Sequence, residues 1–168
     1  MKREIKELFN LSKGTLQTLV QNVAGRQPKL HGMVYEITDI CNSHCRHCSI
    51  WRQKPTPNPL TREEIEKIFQ NPFFKSLKEI IITGGEPMVR PDLEEIIFAL
   101  RKYVHKDAII SLSTNAILPE KAIKTVKALL EAGVRLVVGV SLDGIGQKHD
   151  EIRGTKGNFQ KADFLLRE

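Results

Sequence analysis

The sequence predicts an α/β fold built on a parallel sheet. Four short apolar segments have the composition of strands, and they lie at residues 33–38, 79–83, 108–113 and 134–141. A segment with helical periodicity follows each of them, so strands and helices alternate along the chain. Strict alternation predicts parallel strands joined by right-handed crossovers. A hydrophobic content of 40% is sufficient for the core of one globular domain.

Residues 1–30 precede this pattern, and we expect them to form an N-terminal helical extension to a core domain at residues 31–168. Apolar residues recur in them at helical spacing, with breaks at Gly14 and at residues 25–28. Six Lys or Arg residues against two Glu give this segment a net charge of +4. Because only 6% of the chain is aromatic, we interpret the charge as solvated surface rather than a nucleic-acid platform.

The segment at residues 39–60, after the first predicted strand, has neither helical nor strand periodicity. Three prolines, Pro55, Pro57 and Pro59, lie in its second half. Loops longer than about 12–15 residues are uncommon in compact domains and are usually functional or disordered. The segment is therefore predicted to be a functional loop.

Helix starts are predicted from two capping boxes. Thr61 with Glu64 precedes the first core helix, and Asp92 with Glu95 precedes the second. The strand between these helices, at residues 79–83, is apolar without alternation, which predicts that both of its faces are covered.

The second half of the chain continues the alternation. Pro119 suits the first turn of the helix after the third strand, and Gly133 suits its end. Residues 134–141 are predicted to be a buried fourth strand. A last helix is expected to start near Asn158 and to continue to Glu168.

All the cysteines of the chain, Cys41, Cys45 and Cys48, lie within eight residues. Soft sulfur ligands grouped this closely favour zinc, copper(I) or an iron–sulfur cluster. Structural zinc normally takes four ligands, and His44 and His47 each directly neighbour a cysteine, so their convergence with all three thiols is awkward. On a 4Fe–4S cluster held by three cysteines, one iron keeps an open position where a small molecule binds.

This Cys-x3-Cys-x2-Cys stretch resembles the signature of the radical S-adenosylmethionine (radical SAM) superfamily. The resemblance implies that Cys41, Cys45 and Cys48 hold three irons of a 4Fe–4S cluster. It also implies that the amino and carboxylate groups of S-adenosylmethionine chelate the fourth iron. His47 occupies the aromatic position of the motif, which implies a contact with the adenine.

The segment Gly84-Gly85-Glu86-Pro87 follows the second predicted strand. As local structure, the glycines permit a sharp turn, and Pro87 biases Glu86 toward an extended backbone. The segment also resembles the Gly-Gly-Glu-Pro motif of the same superfamily. The resemblance implies that Glu86 accepts a charge-assisted hydrogen bond from the ammonium group of the ligand. The glycines are expected to let the ligand approach the backbone closely.

The residues after the fourth predicted strand, Ser141 to Gly144 followed by His149-Asp150 and Arg153-Gly154, resemble the fourth-strand region of peptide-modifying and related members. The resemblance implies that Ser141 contacts the ribose or carboxylate of the ligand, that Asp143 belongs to the same binding segment, and that Arg153 faces the carboxylate. The simpler alternatives are a helix cap or turn for Ser141 and Asp143, and a solvated surface charge for Arg153.

Thr114-Asn115 resembles the end of the third strand in the family, and Asn115 is implied as a ligand contact. The glycine often found next is Ala116 here. Each of these four segments follows a predicted strand, and active sites of parallel β/α barrels form at the carboxyl ends of the strands. We therefore expect one site along this rim.

The core of the family is a partial barrel of six β/α units, whereas this chain supplies four. The resemblance therefore implies a partial (β/α) barrel of the radical SAM type, incomplete at its C-terminus. Because exposed strand edges template association, we expect self-association or completion by another chain.

The implied function is that of a radical SAM enzyme. The cluster reductively cleaves S-adenosylmethionine to a 5′-deoxyadenosyl radical, which abstracts hydrogen from an unknown substrate, a small molecule or a peptide. This chemistry implies a low-potential electron donor such as a flavodoxin or ferredoxin. The alternatives are an iron–sulfur protein that only transfers electrons and a zinc-stabilised binding module. A cytoplasmic location is predicted, because no signal peptide and no apolar run near about eighteen residues is present.

Overall fold

The structure, a computed structural model, describes residues 29–168, so the helical extension predicted for residues 1–30 lies almost entirely outside the described residues. Strands and helices alternate as predicted. In chain order the elements are β1 (Gly32–Thr38), α1 (Arg62–Phe69), β2 (Glu79–Gly84), α2 (Leu93–Arg101), β3 (Ile109–Thr114), α3 (Pro119–Glu131), β4 (Arg135–Val140), α4 (Gln147–Arg153) and α5 (Asn158–Arg167). Short 3-10 turns lie at Ile50–Arg52, Pro72–Ser76 and Pro87–Val89.

The four strands form one parallel sheet in the order β1-β2-β3-β4. One row of the sheet runs through Val34, Ile81, Ser111 and Val137, and the register shifts once, in β1 between Glu36 and Thr38. All four carboxyl ends therefore lie at the same edge of the sheet, as strict β–α alternation predicts.

Helices cover one face of this sheet. On β2 the side chains of Ile80 and Ile82 are fully buried, whereas Ile81 between them is half-buried. On the second face, Val34 is 63% exposed and Val137 is 54% exposed. The predictions that β2 is covered on both faces and that β4 is buried are therefore wrong. No helix among the described residues covers the second face, and β4 pairs with a strand on one side only.

The core lies between the sheet and the helices. Its largest fully buried side chains are Ile65, Leu77, Ile80, Ile82, Met88, Leu93, Ile96, Ile97, Leu100, Ile110, Leu112 and Leu129. On α2 the buried side chains include Leu93, Ile96, Ile97 and Leu100, and each such side chain contributes roughly 1.5–3 kcal/mol relative to exposure. This packing holds the sheet rigid beneath the rim.

The first predicted capping box is confirmed, and the second is wrong. The Thr61 hydroxyl accepts from the Glu64 N–H at 3.2 Å, and the Glu64 carboxylate accepts from the Thr61 N–H at 2.9 Å. The Asp92 side chain does not cap α2. It accepts instead from Arg90 Nε at 2.8 Å, and this pairing directs Arg90 Nη1 to the Ile37 carbonyl at 2.7 Å.

The helix boundaries of the second half agree with the sequence except at α4. Pro119 opens α3, Gly133 follows its end with φ 71°, and Asn158 begins α5. The seven-residue α4 was not predicted, and it lies between Gly146 at φ 57° and Gly154 at φ 65°. Among residues 29–168, no helix has the length and apolarity needed to cross a membrane.

Candidate functional site

A cavity of about 450 Å³ opens at the carboxyl ends of the strands. The cysteine loop and the segments after β2, β3 and β4 all contribute to it, as predicted for parallel strands whose carboxyl ends lie at one edge of the sheet. Of the predicted site residues, those that line the cavity are Cys41, Cys45, His47, Cys48, Gly84, Gly85, Glu86, Pro87, Asn115, Ser141 and Arg153. Asp143 is the exception, and it pairs with two residues that do line the cavity, Arg153 and His47.

All three cysteines are free thiols. Cys45 is buried at 6% exposure, and Cys41 and Cys48 are half-buried. Burial raises the pKa of the Cys41 thiol, and the Ser43 N–H at 3.5 Å from its sulfur offsets part of that effect. No three His, Cys, Asp or Glu side chains within residues 29–168 lie close enough together to hold a single metal ion.

Gly84, the last residue of β2, and Gly85 fit against the backbone that leads into the cysteine loop. The Gly85 N–H donates to the Thr38 carbonyl at 2.7 Å, and the Glu86 N–H donates to the Ile40 carbonyl at 2.9 Å. A Cβ added at Gly84 would overlap Thr38 O, and one at Gly85 would overlap Ile40 O. In this structure it is therefore the chain itself that approaches these glycines closely, whereas we predicted close approach by a ligand.

The Glu86 carboxylate is 1% exposed and accepts three hydrogen bonds. Oε1 accepts from the Met88 N–H at 3.1 Å and the Thr114 hydroxyl at 2.8 Å. Oε2 accepts from the Asn115 N–H at 2.6 Å. Burial raises the pKa of Glu86, and the Asn115 and Thr114 donors offset only part of this rise. Since each oxygen has two lone pairs, Oε2 retains an acceptor position for a ligand.

Asn115 connects the end of β3 to the cysteine loop. Its Nδ2 donates to Asn42 Oδ1 at 2.8 Å and lies 3.8 Å from Cys41 Sγ. The next residue, Ala116, is fully buried with φ 59°. A left-handed conformation favours glycine, which accounts for the glycine that family members often carry at this position.

Arg153 is held between the cysteine loop and the segment after β4. Its Nη1 lies 3.6 Å from Cys45 Sγ, and its Nε lies 2.6 Å from Asp143 Oδ2. This ion pair holds the guanidinium beside Cys45. The alternative of a solvated surface charge for Arg153 is wrong, because only 11% of its side chain is exposed.

His47 has an exposed position at the mouth of the cavity. Its side chain is 54% exposed, and Nε2 lies 3.9 Å from Asp143 Oδ2. Ser141 lies deeper, where its N–H donates to the Thr114 carbonyl at 3.0 Å and continues the pairing of β3 and β4.

Three residues that organise the site were missed by the sequence reasoning: Asn42, Ser43 and Asn158. Ser43 is fully buried, and its hydroxyl donates to the Arg153 carbonyl at 2.9 Å. Asn158 is also fully buried and donates to the Asn115 carbonyl at 2.9 Å. Their partners are 110 and 43 residues away in sequence, so no local pattern indicates these contacts.

Residues 35–167 match the sequence profile of the Radical SAM superfamily. One similar protein is the antilisterial bacteriocin subtilosin biosynthesis protein AlbA of Bacillus subtilis, which is 27% identical over 94% of this chain and 34% of its own length. Another is the probable GTP 3',8-cyclase of Methanococcus vannielii, which is 38% identical over 77% of this chain and 44% of its own length. The chain thus spans less than half the length of these relatives.

Among solved structures, SuiB of Streptococcus suis bound to S-adenosylmethionine superposes with a TM-score of 0.65. The match has 19% sequence identity and covers 83% of this chain and 32% of that one. A likeness at this identity shows a shared fold, and it confirms the predicted α/β architecture of the radical SAM type.

Proposed function

Because the chain belongs to the radical SAM superfamily, whose members use a 4Fe–4S cluster and S-adenosylmethionine, we propose that it forms the cofactor-binding part of a radical SAM enzyme. In this proposal Cys41, Cys45 and Cys48 hold the cluster, and the cavity holds S-adenosylmethionine. When bound and reduced, the cluster supplies one electron that cleaves S-adenosylmethionine to methionine and a 5′-deoxyadenosyl radical, which abstracts hydrogen from the substrate. The single observation that carries the proposal is that the three thiols and the Gly84–Pro87 segment line one cavity.

The donor set of the cavity fits both groups. Three thiols without disulfide partners supply soft ligands, and they leave one iron of a four-iron cluster open. The Arg153 guanidinium also lines the cavity, where Asp143 pairs with its Nε at 2.6 Å. Because a guanidinium has five N–H donors, it can bind the carboxylate of S-adenosylmethionine while it stays paired with Asp143.

The residues around the cavity then have distinct roles. Glu86 Oε2 accepts from the ligand's ammonium group, while its other contacts keep it fixed at the ends of β2 and β3. Arg153 attracts the carboxylate, and Asp143 orients Arg153 through their ion pair. Ser141 and Asn115 offer hydrogen bonds to the ribose or carboxylate, and His47 at the mouth covers the adenine.

The substrate class stays open between a peptide and a small molecule. The relatives include a bacteriocin biosynthesis protein and a probable GTP cyclase. These two names indicate different chemistry, and the chain spans only 34% and 44% of the two proteins' lengths. We propose that segments outside this chain select the substrate, because the residues that line the cavity are already assigned to the cluster and S-adenosylmethionine.

A low-potential electron donor such as a flavodoxin or ferredoxin is proposed to dock at the cysteine loop. Residues 40–60 contain no Asp or Glu, and Arg46, Arg52 and Lys54 are exposed. An acidic donor surface would be attracted to this charge, and such steering raises the rate of association at low salt.

The open edge of β4 supports the proposal that the chain self-associates or is completed by further chain. Among residues 29–168, β4 has a neighbouring strand on one side only, and Val137 exposes 54% of its surface. An exposed apolar edge strand templates pairing with another strand.

Anaerobic reconstitution with iron and sulfide tests the proposed function. We expect about four irons per chain, as a single 4Fe–4S cluster requires. Addition of S-adenosylmethionine should change the electron paramagnetic resonance spectrum of the reduced cluster. A spectrum indifferent to S-adenosylmethionine would favour the electron carrier, and stoichiometric zinc without iron uptake would favour the binding module.

A further inference from the structure

The end of α4 accepts hydrogen bonds from the cysteine loop. The Arg46 N–H donates to the Ile152 carbonyl at 2.9 Å, and the His44 N–H donates to the Arg153 carbonyl at 3.2 Å. The Ser43 hydroxyl reaches the same Arg153 carbonyl at 2.9 Å. The last carbonyls of a helix have no partner within the helix, and buried loop N–H groups need acceptors. Each segment therefore satisfies the backbone groups that the other leaves unpaired.

Gly154 allows this close approach. It has φ 65°, and a Cβ added there would lie 2.6 Å from the His44 carbonyl oxygen. Any larger residue would push directly on the backbone of the residue before Cys45. Gly157, three residues later, has a similar φ of 78°, but its added Cβ would meet only the end of the Gln160 side chain at 3.8 Å.

α4 is itself fixed from the side opposite to the loop. The Asp150 carboxylate accepts from the Gly157 N–H at 2.6 Å and the Phe159 N–H at 2.8 Å, which ties α4 to the start of α5. His149 is fully buried, with Nδ1 accepting from the Asp143 N–H at 3.2 Å and Nε2 lying 3.3 Å from Asn158 Oδ1. A helix of seven residues has little stability alone, so these contacts are what hold its C-terminal carbonyls in place.

We propose that the end of α4, together with Gly154 and Ser43, positions Cys45 for cluster binding. The residues on both sides of Cys45, His44 and Arg46, are bonded to α4, so the direction of its thiol is set before any ligand binds. The Ser43 hydroxyl lies 3.2 Å from Cys45 Sγ and therefore also contacts the thiol directly. This role rests on the proposed function, because a positioned thiol needs a cluster to hold. In this proposal the Arg153-Gly154 segment positions Cys45, a role that is separate from contact with S-adenosylmethionine.

The test compares Gly154→Ala with Gly157→Ala in the full chain. Both variants place alanine in a left-handed conformation, but only the first pushes on the cysteine loop. In the cluster-free protein, the rate of alkylation of Cys45 relative to Cys48 is measured by mass spectrometry. Cys45 should react roughly five- to ten-fold faster in Gly154→Ala, the change that loss of about one net hydrogen bond makes in a local opening equilibrium. The ratio should be unchanged in Gly157→Ala, because alanine keeps the backbone N–H that donates to Asp150.

The same variants are then reconstituted, and the release of iron to a chelator is timed. Gly154→Ala should lose iron faster than Gly157→Ala and the parent chain. Equal alkylation ratios and equal iron release in the two variants would overturn the proposal. If the parent chain takes up no iron, the proposed function fails, while the alkylation ratio of the cluster-free protein still decides the positioning role.

Ser43→Ala tests the positioning of Cys45 if Gly154→Ala does not fold. It removes the hydroxyl that bonds the Arg153 carbonyl without adding strain. Faster alkylation of Cys45 relative to Cys48 in the folded variant supports positioning by Ser43 and the end of α4. An unchanged alkylation rate contradicts it. Ser43→Thr, which keeps the hydroxyl, should restore the slow rate.

Discussion

The two halves of the loop between β1 and α1 are held in different ways. In residues 39–48, the backbone is bonded to the segment after β2 on one side and to the end of α4 on the other, and Ser43 and Cys45 are buried. In residues 49–60, every position from 52 to 60 is exposed. The bonds of this second half to its surroundings include Thr56 to Asp39 and the Leu60 carbonyl to Arg90.

This difference in how the backbone is held follows the position of the three cysteines, which all lie in the first half. Thiols that bind a cluster must lie in one geometry before the ligand arrives, since ordering them on binding would weaken binding. The second half contains no thiol and carries exposed cationic side chains, for which a solvated backbone is sufficient. One loop in the sequence is therefore two segments in the structure, and the predictions below test that division.

Removal of a thiol from the first half should have the largest effect. Cys45→Ala is expected to abolish cluster binding, because two remaining cysteines cannot hold three irons of the cluster. Cys41→Ala and Cys48→Ala should do the same. The measurement is iron per chain after anaerobic reconstitution. Gln53→Ala in the second half is the control and should keep the full iron content.

Glu86→Gln should reduce the affinity for S-adenosylmethionine while the cluster is retained. Loss of a hydrogen bond to a charged group costs roughly 1.5–3 kcal/mol, or about ten- to a hundred-fold in affinity. The measurement is a titration followed by the electron paramagnetic resonance of the reduced cluster. Glu79→Gln, at the other end of β2 and exposed, is the matched control.

Glu86 also bonds Met88, Thr114 and Asn115, so the melting temperature of the Glu86→Gln variant must be measured alongside. A Gln amide facing the Asn115 N–H would place two donors together, which predicts some loss of stability. Unchanged ligand affinity in a folded variant would limit Glu86 to this internal role.

Gly85→Ala should destabilise the junction between β2 and the first half of the loop. Its Cβ would overlap the Ile40 carbonyl, and overpacking of this kind costs about 1–3 kcal/mol. Gly139→Ala on β4 is the control, because its Cβ would meet only Ser113 Oγ at an ordinary 3.9 Å and should change stability by less than about 0.5 kcal/mol. Urea unfolding measures the stability of both variants. Equal unfolding midpoints would show that the start of the cysteine loop shifts to accommodate the added methyl group without loss of stability.

Features with local causes were predictable from the sequence. The spacing of Cys41, Cys45 and Cys48, the alternation of strands and helices, and the Thr61 cap all depend on residues near one another in the chain. The position of the site at the carboxyl ends of the strands was predictable from the alternation, because parallel strands place these ends at the same edge. These features were enough to predict that all the site residues except Asp143 line one cavity.

Features with distant causes were not predictable. Asp92 has the residue type of a cap but pairs with Arg90, which is directed to β1. Ser43 gains its role from a carbonyl 110 residues away. The exposed face of β4 depends on which elements pack against the sheet, and an apolar strand sequence does not contain that information.

The smallest expected effect comes from the second half of the loop, at the contact between Thr56 and Asp39. The Thr56 hydroxyl and N–H both donate to Asp39, and these bonds lower the pKa of its carboxyl group. A lowered pKa means that the contact stabilises the loop above the ordinary pKa of an aspartate and is lost as the pH falls through the lowered value. Thr56→Val removes the hydroxyl but keeps the N–H, so the Asp39 pKa should rise toward its ordinary value in a carboxyl titration followed by nuclear magnetic resonance. Iron content and the rate of iron release should stay as in the parent chain, because the contact between Thr56 and Asp39 holds no thiol. If Thr56→Val instead released iron as fast as Gly154→Ala, the second half would also position the cluster, and the division of the loop would be wrong.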